Sequence, residues 1–509
     1  MNTSDHVTKA RAGWIPVPLP YPLPTGSELE DFSRFSVESS PLRNWTPEDS
    51  GPTPVLEVPI SRASLDPAFA IHRGGKIRIQ ARVPIASRQT LSRAYGSGAA
   101  RVSCAIARDR DQVWTLTGKG NSVAVVTDGT GLPGLGNIGA EAAMPAVEGK
   151  AMLFREFGNI DAYPLCLRAN DPAELTQIID SLSVGFGAIN LTGIAAPGCF
   201  AIERQLQEQL DIPVFDDYQH GTAIVVLAGL INALRLLGLK LRDTKIVVAG
   251  AGAAGTAIAK LLLRAGARNL LVCDRQGILH ERRAGLEKAS TFLETRLGAM
   301  SAHSGDRRPA VSRPFLPARA TGCIHASKMA VVRRANAHPG SKASAKRWLA
   351  HRTNPQQFSG SLARALEGAQ VFIGASAPGV LEPYLIETMA PKPIIFALAT
   401  PTPEIRPEEA VGAFIVGSGQ SDCPNHINNV LAFPGIFRGA LDVRATRINE
   451  QMKLAAARAI ARCIHPRDLA PGLIVPSVFN RGVVKRVAQA VREAAVRTGV
   501  ARVTRGVGE

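Results

Sequence analysis

Cysteine is sparse in this sequence, and its spacing offers no paired ligands. Seven cysteines are scattered over 509 residues, and no two of them form a Cys-x-x-Cys pair. This spacing argues against a disulfide scaffold and against a structural zinc site, and it is typical of a protein that stays in the reducing cytosol. We therefore expect a cytoplasmic protein.

Long apolar runs are also missing. The most apolar stretch, 223–234, is about a dozen residues long, whereas a membrane span needs roughly 20. Lys9 and Arg11 near the N-terminus are not followed by an apolar segment, so we expect no secretory signal. The sequence predicts a buried helix at this stretch and no membrane association.

Acidic residues are nearly absent from one segment. Between Arg296 and Arg347, eleven lysines and arginines stand against one acid, Asp306, so that this segment supplies +10 of the net charge of +17. Phe315 is the only aromatic residue in it, which argues against binding of single-stranded nucleic acid by stacking. We interpret the segment as a solvated tether, with a site for nucleic acid or another polyanion as the weaker alternative.

Composition divides the chain into five parts. Residues 1–67 are rich in proline and predict a flexible leader, with a docking motif for a proline-recognising partner as the alternative. A globular domain is expected over 68–221 and a second one over 222–495. The basic, low-pattern stretch 296–345 predicts a disordered insert within the second domain, and 496–509 forms a C-terminal tail.

Hydrophobic patterning predicts an α/β protein in which an N-terminal α/β domain is followed by a doubly wound, Rossmann-type domain. A β-branched run at 122–127 predicts a buried strand that leads into a glycine-rich loop, and 222–237 predicts a long helix. Strand and helix patterns then alternate over 244–249, 256–266, 269–273, 370–374 and 393–399. Such alternation predicts a parallel sheet with helices on both faces.

A dinucleotide-binding loop is the clearest local motif. Gly250, Gly252 and Gly255 follow a strand and open a helix. The first glycine permits a tight turn, the second lets the backbone approach a pyrophosphate, and the third allows close packing of helix on strand. The backbone of Ala253 and Ala254 at the helix start would then meet the phosphates. A glycine-rich turn without a ligand is the alternative.

The acid that closes the next strand bears on the choice of cofactor. Asp274 follows the first glycine by 24 residues, close to the spacing expected of an acid that binds a ribose 2′-hydroxyl. This acid favours NAD. Arg275 beside it could meet a 2′-phosphate instead, so NADP stays open.

Several segments resemble bacterial malic enzymes over about 68–295 and 346–495. They are Tyr95-Gly-Ser-Gly-Ala-Ala, Val125-Val-Thr-Asp-Gly, Gly134-Leu-Gly-Asn-Ile-Gly, Val147-Glu-Gly-Lys-Ala, Ile212-Pro-Val-Phe, Gln219-His-Gly-Thr-Ala, Ser376-Ala-Pro-Gly, Asn428-Asn-Val-Leu-Ala-Phe-Pro-Gly and Met452-Lys-Leu-Ala-Ala-Ala. The resemblance implies oxidative decarboxylation of malate to pyruvate with NAD(P), in a cleft between two domains of a homo-oligomer. Ser376 and Asn429 would help to hold the cofactor.

The resemblance also assigns catalytic roles to Lys150, Tyr95 and Asp217. Lys150 would accept the proton of the 2-hydroxyl as hydride leaves C2, and Tyr95 would protonate C3 after carbon dioxide departs. Asp217 keeps the first acid of the family's Asp-Asp pair. A lysine base must have a depressed pKa to be neutral near pH 7.

The resemblance breaks at the positions that bind Mg²⁺ or Mn²⁺ in the family. Thr192 and Gly193 stand where the family has a Glu-Asp pair, and Tyr218 stands where it has the second acid of Asp-Asp. Asp216 occupies a position that is usually histidine. Hard divalent cations need anionic oxygen donors. The sequence therefore predicts that the metal ligands are lost, although Asp216 and Asp217 could recruit a cation in a shifted geometry.

Other cleft positions also depart from the family pattern. Thr400 replaces an asparagine near the nicotinamide and substrate, Gln420 replaces an arginine, and Gly198 and Pro133 replace other residue types. Three hypotheses follow. The chain is a malic enzyme with a weakened or relocated metal, a silent dinucleotide-binding member of the family, or a protein whose insert binds a polyanion. We describe the function by the first hypothesis, a malic enzyme, and expect little or no turnover of malate.

Overall fold

The computed structural model describes residues 67–283 and 342–504, and the chain forms two compact units, 1–75 and 76–509. The described part of the first unit contains one short helix, Pro67–His72, labelled α1. The predicted leader up to residue 66 lies outside the described residues. So do the predicted insert up to residue 341 and the last five residues of the tail.

The helices and strands of the second unit alternate over most of its length. The helices are α2 Arg88–Ala94, α3 Ser97–Arg108, α4 Val113–Leu116, α5 Met144–Gly158, α6 Pro172–Leu182, α7 Gly198–Gln209, α8 Asp217–Leu237, α9 Ala253–Ala265, α10 Lys342–Arg352, α11 Leu362–Leu366, α12 Pro383–Glu387, α13 Phe433–Asp442, α14 Glu450–Ala461 and α15 Gly482–Arg497. The strands are β1 Ser122–Thr127, β2 Asp161–Cys166, β3 Ala188–Leu191, β4 Val214–Asp216, β5 Lys245–Ala249, β6 Asn269–Asp274, β7 Gly277–Ile278, β8 Val371–Gly374, β9 Ile394–Ala397 and β10 Ile415–Ser418.

A four-stranded parallel sheet forms the N-terminal half, in the order β2-β1-β3-β4. All six residues of β1 are buried. A parallel strand that is covered on both faces reads as a continuous apolar run, which is why the segment 122–127 was recognisable from its sequence. This strand ends at the glycine-rich loop, so the sheet positions that loop at its carboxyl edge.

A six-stranded sheet forms the second half, in the order β10-β9-β8-β5-β6-β7. Its strands run parallel except β7, which pairs antiparallel with β6. Successive residues of β5 enter different cores: Ile246 and Val248 pack in the same cluster as residues of α8 and α9, while Val247 packs with residues of α11 and α12. The predicted doubly wound α/β architecture is confirmed.

Helix α8 joins the two halves. It begins at Asp217, five residues before the predicted start, because the Asp216 side chain caps it by accepting a hydrogen bond from the Gln219 backbone N–H at 3.2 Å. The predicted domain boundary at 221/222 therefore falls inside a helix. Among the described helices, α8 alone is long and apolar enough in composition to cross a membrane, but 67% of its apolar window is buried in the structure. The prediction of a buried helix is confirmed.

Several local features differ from the sequence-based expectations. Strands β2, β3, β4, β7 and β10 were not predicted, and β7, with two residues, carries no recognisable period. Helix α10 begins at Lys342, within the last residues assigned to the disordered insert. Burial of Leu349 and Ala350 explains this early start, since an apolar contact orders a polar segment that has little pattern of its own.

Candidate functional site

A buried ion pair lies at the start of α8. The Lys150 ammonium, on α5, donates to Asp217 Oδ2 at 2.6 Å. The Asn429 amide, at the start of a short 3-10 turn, donates to the same oxygen at 2.7 Å. Lys150 is 8% exposed and Asp217 is fully buried. The structure thus brings together three residues that the sequence analysis singled out separately, and it places Asn429 against Asp217.

Aromatic rings and carboxylates around Lys150 determine its protonation state. Its Nζ lies 4.6 Å from the centre of the Tyr218 ring and 5.3 Å from that of Phe433. Burial alone would lower the pKa of Lys150, but Asp217, with further contributions from Tyr218 and Asp216, outweighs burial and raises it. The pKa of Lys150 is therefore raised, not depressed as a base near pH 7 requires, because its carboxylate partner is only a hydrogen bond away.

A second polar network, which the sequence analysis missed, surrounds Asp216. Its backbone N–H donates to Glu203 at 3.0 Å, and Glu203 also contacts the His220 ring at 3.0 Å. His220 in turn contacts the Lys453 ammonium at 3.0 Å. Burial, together with the neighbouring Glu203 carboxylate, raises the pKa of Asp216 to about 7. Both Asp216 side-chain oxygens accept hydrogen bonds from Gln219, at 3.2 and 2.7 Å.

The three family ligand positions line a small cavity. Its volume is about 10 Å³, the size of one water molecule. Its lining consists of Thr127, Leu132, Ala146, Val147, Thr192, Gly193 and Tyr218. The Thr192 hydroxyl is buried without a hydrogen-bond partner, as are Asp217 Oδ1 and both atoms of the Asn190 amide.

These residues do not fit a divalent cation. Thr192 and Tyr218 supply neutral oxygens only, and the described residues contain no group of three His, Cys, Asp or Glu that could hold a metal ion. Gly193 also has a left-handed backbone conformation, with a φ of +63°. A Cβ there would stand 2.9 Å from Leu132 Cδ1 and from Thr127 Oγ1. The loss of the metal ligands stays a prediction, and the donor set at these positions is consistent with it.

The glycine-rich loop after β5 has the shape that the sequence predicted. A Cβ on Gly250 would meet the Ala375 carbonyl oxygen at 2.2 Å, and one on Gly255 would meet the Gly250 oxygen at 1.9 Å. Gly252, by contrast, has open space within 4 Å, and helix α9 begins after it without a side-chain cap. The uncapped N-terminus, with the backbone of Ala253 and Ala254 in its first turn, is suited to a pyrophosphate.

Asp274 is more heavily engaged than its sequence position suggested. Its Oδ1 accepts from the Gln276 backbone N–H and from Arg283 Nη1, both at 2.9 Å. Its Oδ2 accepts from Arg283 Nη2 and from Lys346 Nζ, both at 2.6 Å. Burial would raise the pKa of Asp274, but the hydrogen bonds from Arg283 and Lys346 outweigh burial and hold it at about 2.

Ser376 lies beside the dinucleotide loop, where a Cβ on Gly250 would stand 3.4 Å from its side chain. Its backbone N–H donates to Glu404 Oε1 at 2.7 Å, and the Ala399 N–H donates to Glu404 Oε2 at 3.0 Å. The fully buried Glu404 therefore joins the loops that follow β8 and β9. The sequence analysis missed this acid because nothing in its local pattern shows that it is buried.

Tyr95 is not part of the buried cluster. It caps the C-terminal end of α2 through its backbone N–H, and 75% of it is exposed. The loop at Thr400 and Pro401 is approached by residues at or beside two other divergent positions. A Cβ on Gly134, next to Pro133, would meet the Thr400 carbonyl oxygen at 2.3 Å, and the Gln420 amide donates to the Pro401 oxygen at 3.1 Å.

Replacing Asp216 by asparagine should stabilise the protein in a pH-dependent way. Because the folded-state pKa of about 7 lies above the ordinary value, ionisation of Asp216 costs stability as the pH rises from about 4 to about 7. Asp216→Asn removes this cost, so its melting temperature should exceed that of the unaltered protein near pH 8 and match it near pH 4. The expected gain near pH 8 is on the order of 4 kcal/mol, because the pKa rises from 3.8 to about 7 and a difference of one in pKa corresponds to about 1.4 kcal/mol. The control is Asp211→Asn, whose side chain is 91% exposed. An Asp216→Asn effect that does not change with pH would contradict the assignment.

Comparison with known proteins identifies the family. The family model described as the N-terminal domain of malic enzyme matches residues 104–207, and the one described as its NAD-binding domain matches 219–308 and 342–496. The first match covers strands β1, β2 and β3 and includes Lys150, Thr192 and Gly193, and the second covers the dinucleotide loop and Asn429. Asp217 and Tyr218 lie between the two matched ranges.

Individual relatives and solved structures agree with these matches. The chain is 47% identical to an NAD-dependent malic enzyme of Geobacillus stearothermophilus, over 86% of this chain and 80% of that one. It is 43% identical to a bifunctional malic/malolactic enzyme of Bacillus subtilis, over 84% and 92%. The structure of an NAD-dependent malic enzyme from Thermotoga maritima matches 84% of this chain and 98% of its own, with a TM-score of 0.69 and 41% identity. The chain belongs to the malic enzyme family.

Proposed function

We propose that this protein is a malic-enzyme-like oxidoreductase that oxidatively decarboxylates malate to pyruvate with NAD(P), at a reduced rate. The observation that carries the proposal is the buried Lys150–Asp217–Asn429 cluster in a chain that also keeps the dinucleotide loop. When bound, the dinucleotide accepts the hydride from C2 of malate. Lys150 would hold the 2-hydroxyl oxygen and exchange its proton, and Asp217 with Asn429 would orient Lys150.

The reduced rate follows from the cavity at Thr192, Gly193 and Tyr218. Decarboxylation places an electron pair on the C2 oxygen, and the family stabilises it with a Lewis acid. Where only neutral oxygens are available, the negative charge on the C2 oxygen is stabilised by hydrogen bonds alone. Loss of several kcal/mol of stabilisation corresponds to about three orders of magnitude in rate. A silent, dinucleotide-binding protein is the alternative, and it predicts no turnover at all.

The cofactor of the proposed reaction is a nicotinamide dinucleotide, and the residues around Asp274 determine the preference between NAD and NADP. A carboxylate offers about four lone-pair positions, and all are taken here by Gln276, Arg283 and Lys346. The ribose hydroxyls of NAD would have to displace one of these donors. A 2′-phosphate would instead be met by Lys346 and by Arg275. We therefore infer that NADP binds at least as well as NAD, the cofactor that the aspartate by itself favoured.

Two broader expectations belong to the same proposal. Several large apolar side chains between 79 and 116 are exposed, including Ile79 at 92%, and they would be covered in a homo-oligomer. The six described cysteines are free, which fits a reducing cytoplasm. Polyanion binding by the basic insert stays a prediction, because that segment lies almost wholly outside the described residues.

Restoring the three carboxylates should raise malate turnover. The variant Thr192→Glu, Gly193→Asp, Tyr218→Asp supplies the anionic oxygens that Mn²⁺ requires, so its Mn²⁺-dependent formation of reduced cofactor should exceed that of the unaltered protein by about 10³-fold. Because Gly193 has a positive φ, the double variant Thr192→Glu, Tyr218→Asp is assayed beside it.

The unaltered protein decides the proposal. Slow formation of pyruvate from malate, above the rate of a heat-inactivated sample, is the expected result. Complete silence of the unaltered protein, with dinucleotide binding intact, would favour the alternative. A fast, saturable dependence of the unaltered protein on Mn²⁺ would show that Asp216 or Asp217 has recruited the cation.

Removing the Lys346 charge should weaken NADPH binding selectively. Lys346→Gln removes a charge-assisted partner of a 2′-phosphate, so the ratio of NADPH to NADH affinity should fall by about tenfold in fluorescence titrations. Arg352→Gln, an equal charge change at the exposed end of the same helix, should leave the ratio unchanged. Equal losses for both dinucleotides would contradict the inferred contact.

A further inference from the structure

Glu404 is a fully buried acid that the proposed reaction does not use. Its Oε1 accepts hydrogen bonds from the Ser376 backbone N–H at 2.7 Å and from the Ser376 hydroxyl at 3.3 Å, and its Oε2 accepts one from the Ala399 N–H at 3.0 Å. Burial raises the pKa of Glu404, and the hydrogen bonds from Ala399 and Ser376 offset only part of that effect. Because a buried carboxylate is costly, packing alone does not explain an acid at this position.

The two loops that meet at Glu404 lie at the edge of the sheet where a dinucleotide would bind. Strand β5 lies between β6 and β8, so the order of the strands reverses there, and ligands of doubly wound sheets occupy the crevice beyond such a reversal. Gly250 follows β5, Asp274 ends β6, Ser376 follows β8 and Ala399 follows β9. With the pyrophosphate at Gly250 and the adenosine half towards Asp274, the nicotinamide half would extend over the loops after β8 and β9.

We propose that Glu404 is a positioning residue for the nicotinamide half of the dinucleotide. The inference rests on the dinucleotide binding of the proposed function, and it names the residue that arranges one half of that site. By accepting a hydrogen bond from one backbone N–H in each loop, the carboxylate fixes the distance between the loops after β8 and β9. It thereby defines the space that the nicotinamide ring would enter, and it acts from behind the loops through Ser376 and Ala399.

A carboxylate suits this role because it can hold both loops at once. Both of its oxygens are acceptors, and a backbone N–H can only donate. A glutamine has nearly the same shape but offers one acceptor oxygen and one NH₂ group, so one of the two loops would lose its hydrogen bond. The backbone at Glu404 is held separately, since its carbonyl oxygen accepts from the Leu381 N–H at 3.0 Å. Glu404→Gln should therefore release one loop and leave the fold intact.

Gly374, the last residue of β8, leaves room for the carboxyl group. A Cβ on Gly374 would stand 2.4 Å from Glu404 Cδ and 2.7 Å from Glu404 Oε2, closer than such atoms approach in proteins. Gly374 is not among the described glycines with a positive φ, so the backbone conformation does not require a glycine there. Gly374→Ala should displace the carboxylate without removing its charge, and it tests the position of the acid independently of its chemistry.

The test compares each dinucleotide with the fragment that lacks its nicotinamide, using the full-length protein. Calorimetry gives the affinities of NADH and ADP-ribose, and of NADPH and 2′-phospho-ADP-ribose. Because one hydrogen bond is lost beneath the nicotinamide half, Glu404→Gln should weaken binding of the dinucleotides by about tenfold and change binding of the fragments by less than about twofold. Gly374→Ala should show the same selective loss. The control is Glu408→Gln, the same chemical change at an exposed acid, which should change neither affinity.

The outcomes distinguish this inference from the proposed function. If the unaltered protein binds no dinucleotide, both are wrong. Unchanged dinucleotide affinity in Glu404→Gln and Gly374→Ala would overturn the inference and leave the proposed function standing. Equal losses for a dinucleotide and its fragment would also overturn it, because the acid would then support the whole site and not one half. If Glu404→Gln does not fold, the comparison in Gly374→Ala decides alone.

Discussion

The buried pair of Lys150 and Asp217 is the contact on which the rest of the site depends. It forms because α5 and the start of α8 meet where β4 ends, with Asn429 closing the third side. Removing either charge would leave the other buried without a partner, which typically lowers the free energy of unfolding by about 3–5 kcal/mol. The pair also sets the protonation state of the lysine, and thereby the direction in which a proton can most readily move.

The neutral residues at the family's carboxylate positions are consistent with this pair. Thr192, Gly193 and Tyr218 carry no carboxylate, and the charges of Lys150 and Asp217 compensate each other. The Tyr218 ring, which stands at a family ligand position, contacts the Lys150 ammonium. Gly193 has a left-handed backbone conformation, and a Cβ at this position would lie too close to the side chains of Leu132 and Thr127. These changes act together, so a single substitution is not expected to recreate a metal site.

Sequence reasoning succeeded where a residue's constraint is local. Gly255 is crowded by the Gly250 carbonyl oxygen five residues away, and the apolar run of β1 reflects its own burial on both faces. It failed where partners are distant. His220 reaches Lys453, 233 residues away, and Asp274 reaches Lys346, 72 residues away and beyond the basic insert. The direction of the pKa shift of Lys150 likewise needs the fold, because only the fold shows that Asp217 faces it.

The most direct test of the charge balance is a Mn²⁺ titration of the metal-free protein, followed by electron paramagnetic resonance, with NADPH and malate present. If Lys150 and Asp217 already compensate each other's charge, the protein should bind no Mn²⁺. The signal of free Mn²⁺ should then rise with added metal as it does in the same solution of NADPH and malate without protein. The variant with Glu, Asp and Asp restored at 192, 193 and 218 should suppress that signal up to one equivalent. Stoichiometric Mn²⁺ binding by the unaltered protein would contradict the account, since it would require a ligand set that the described residues do not contain.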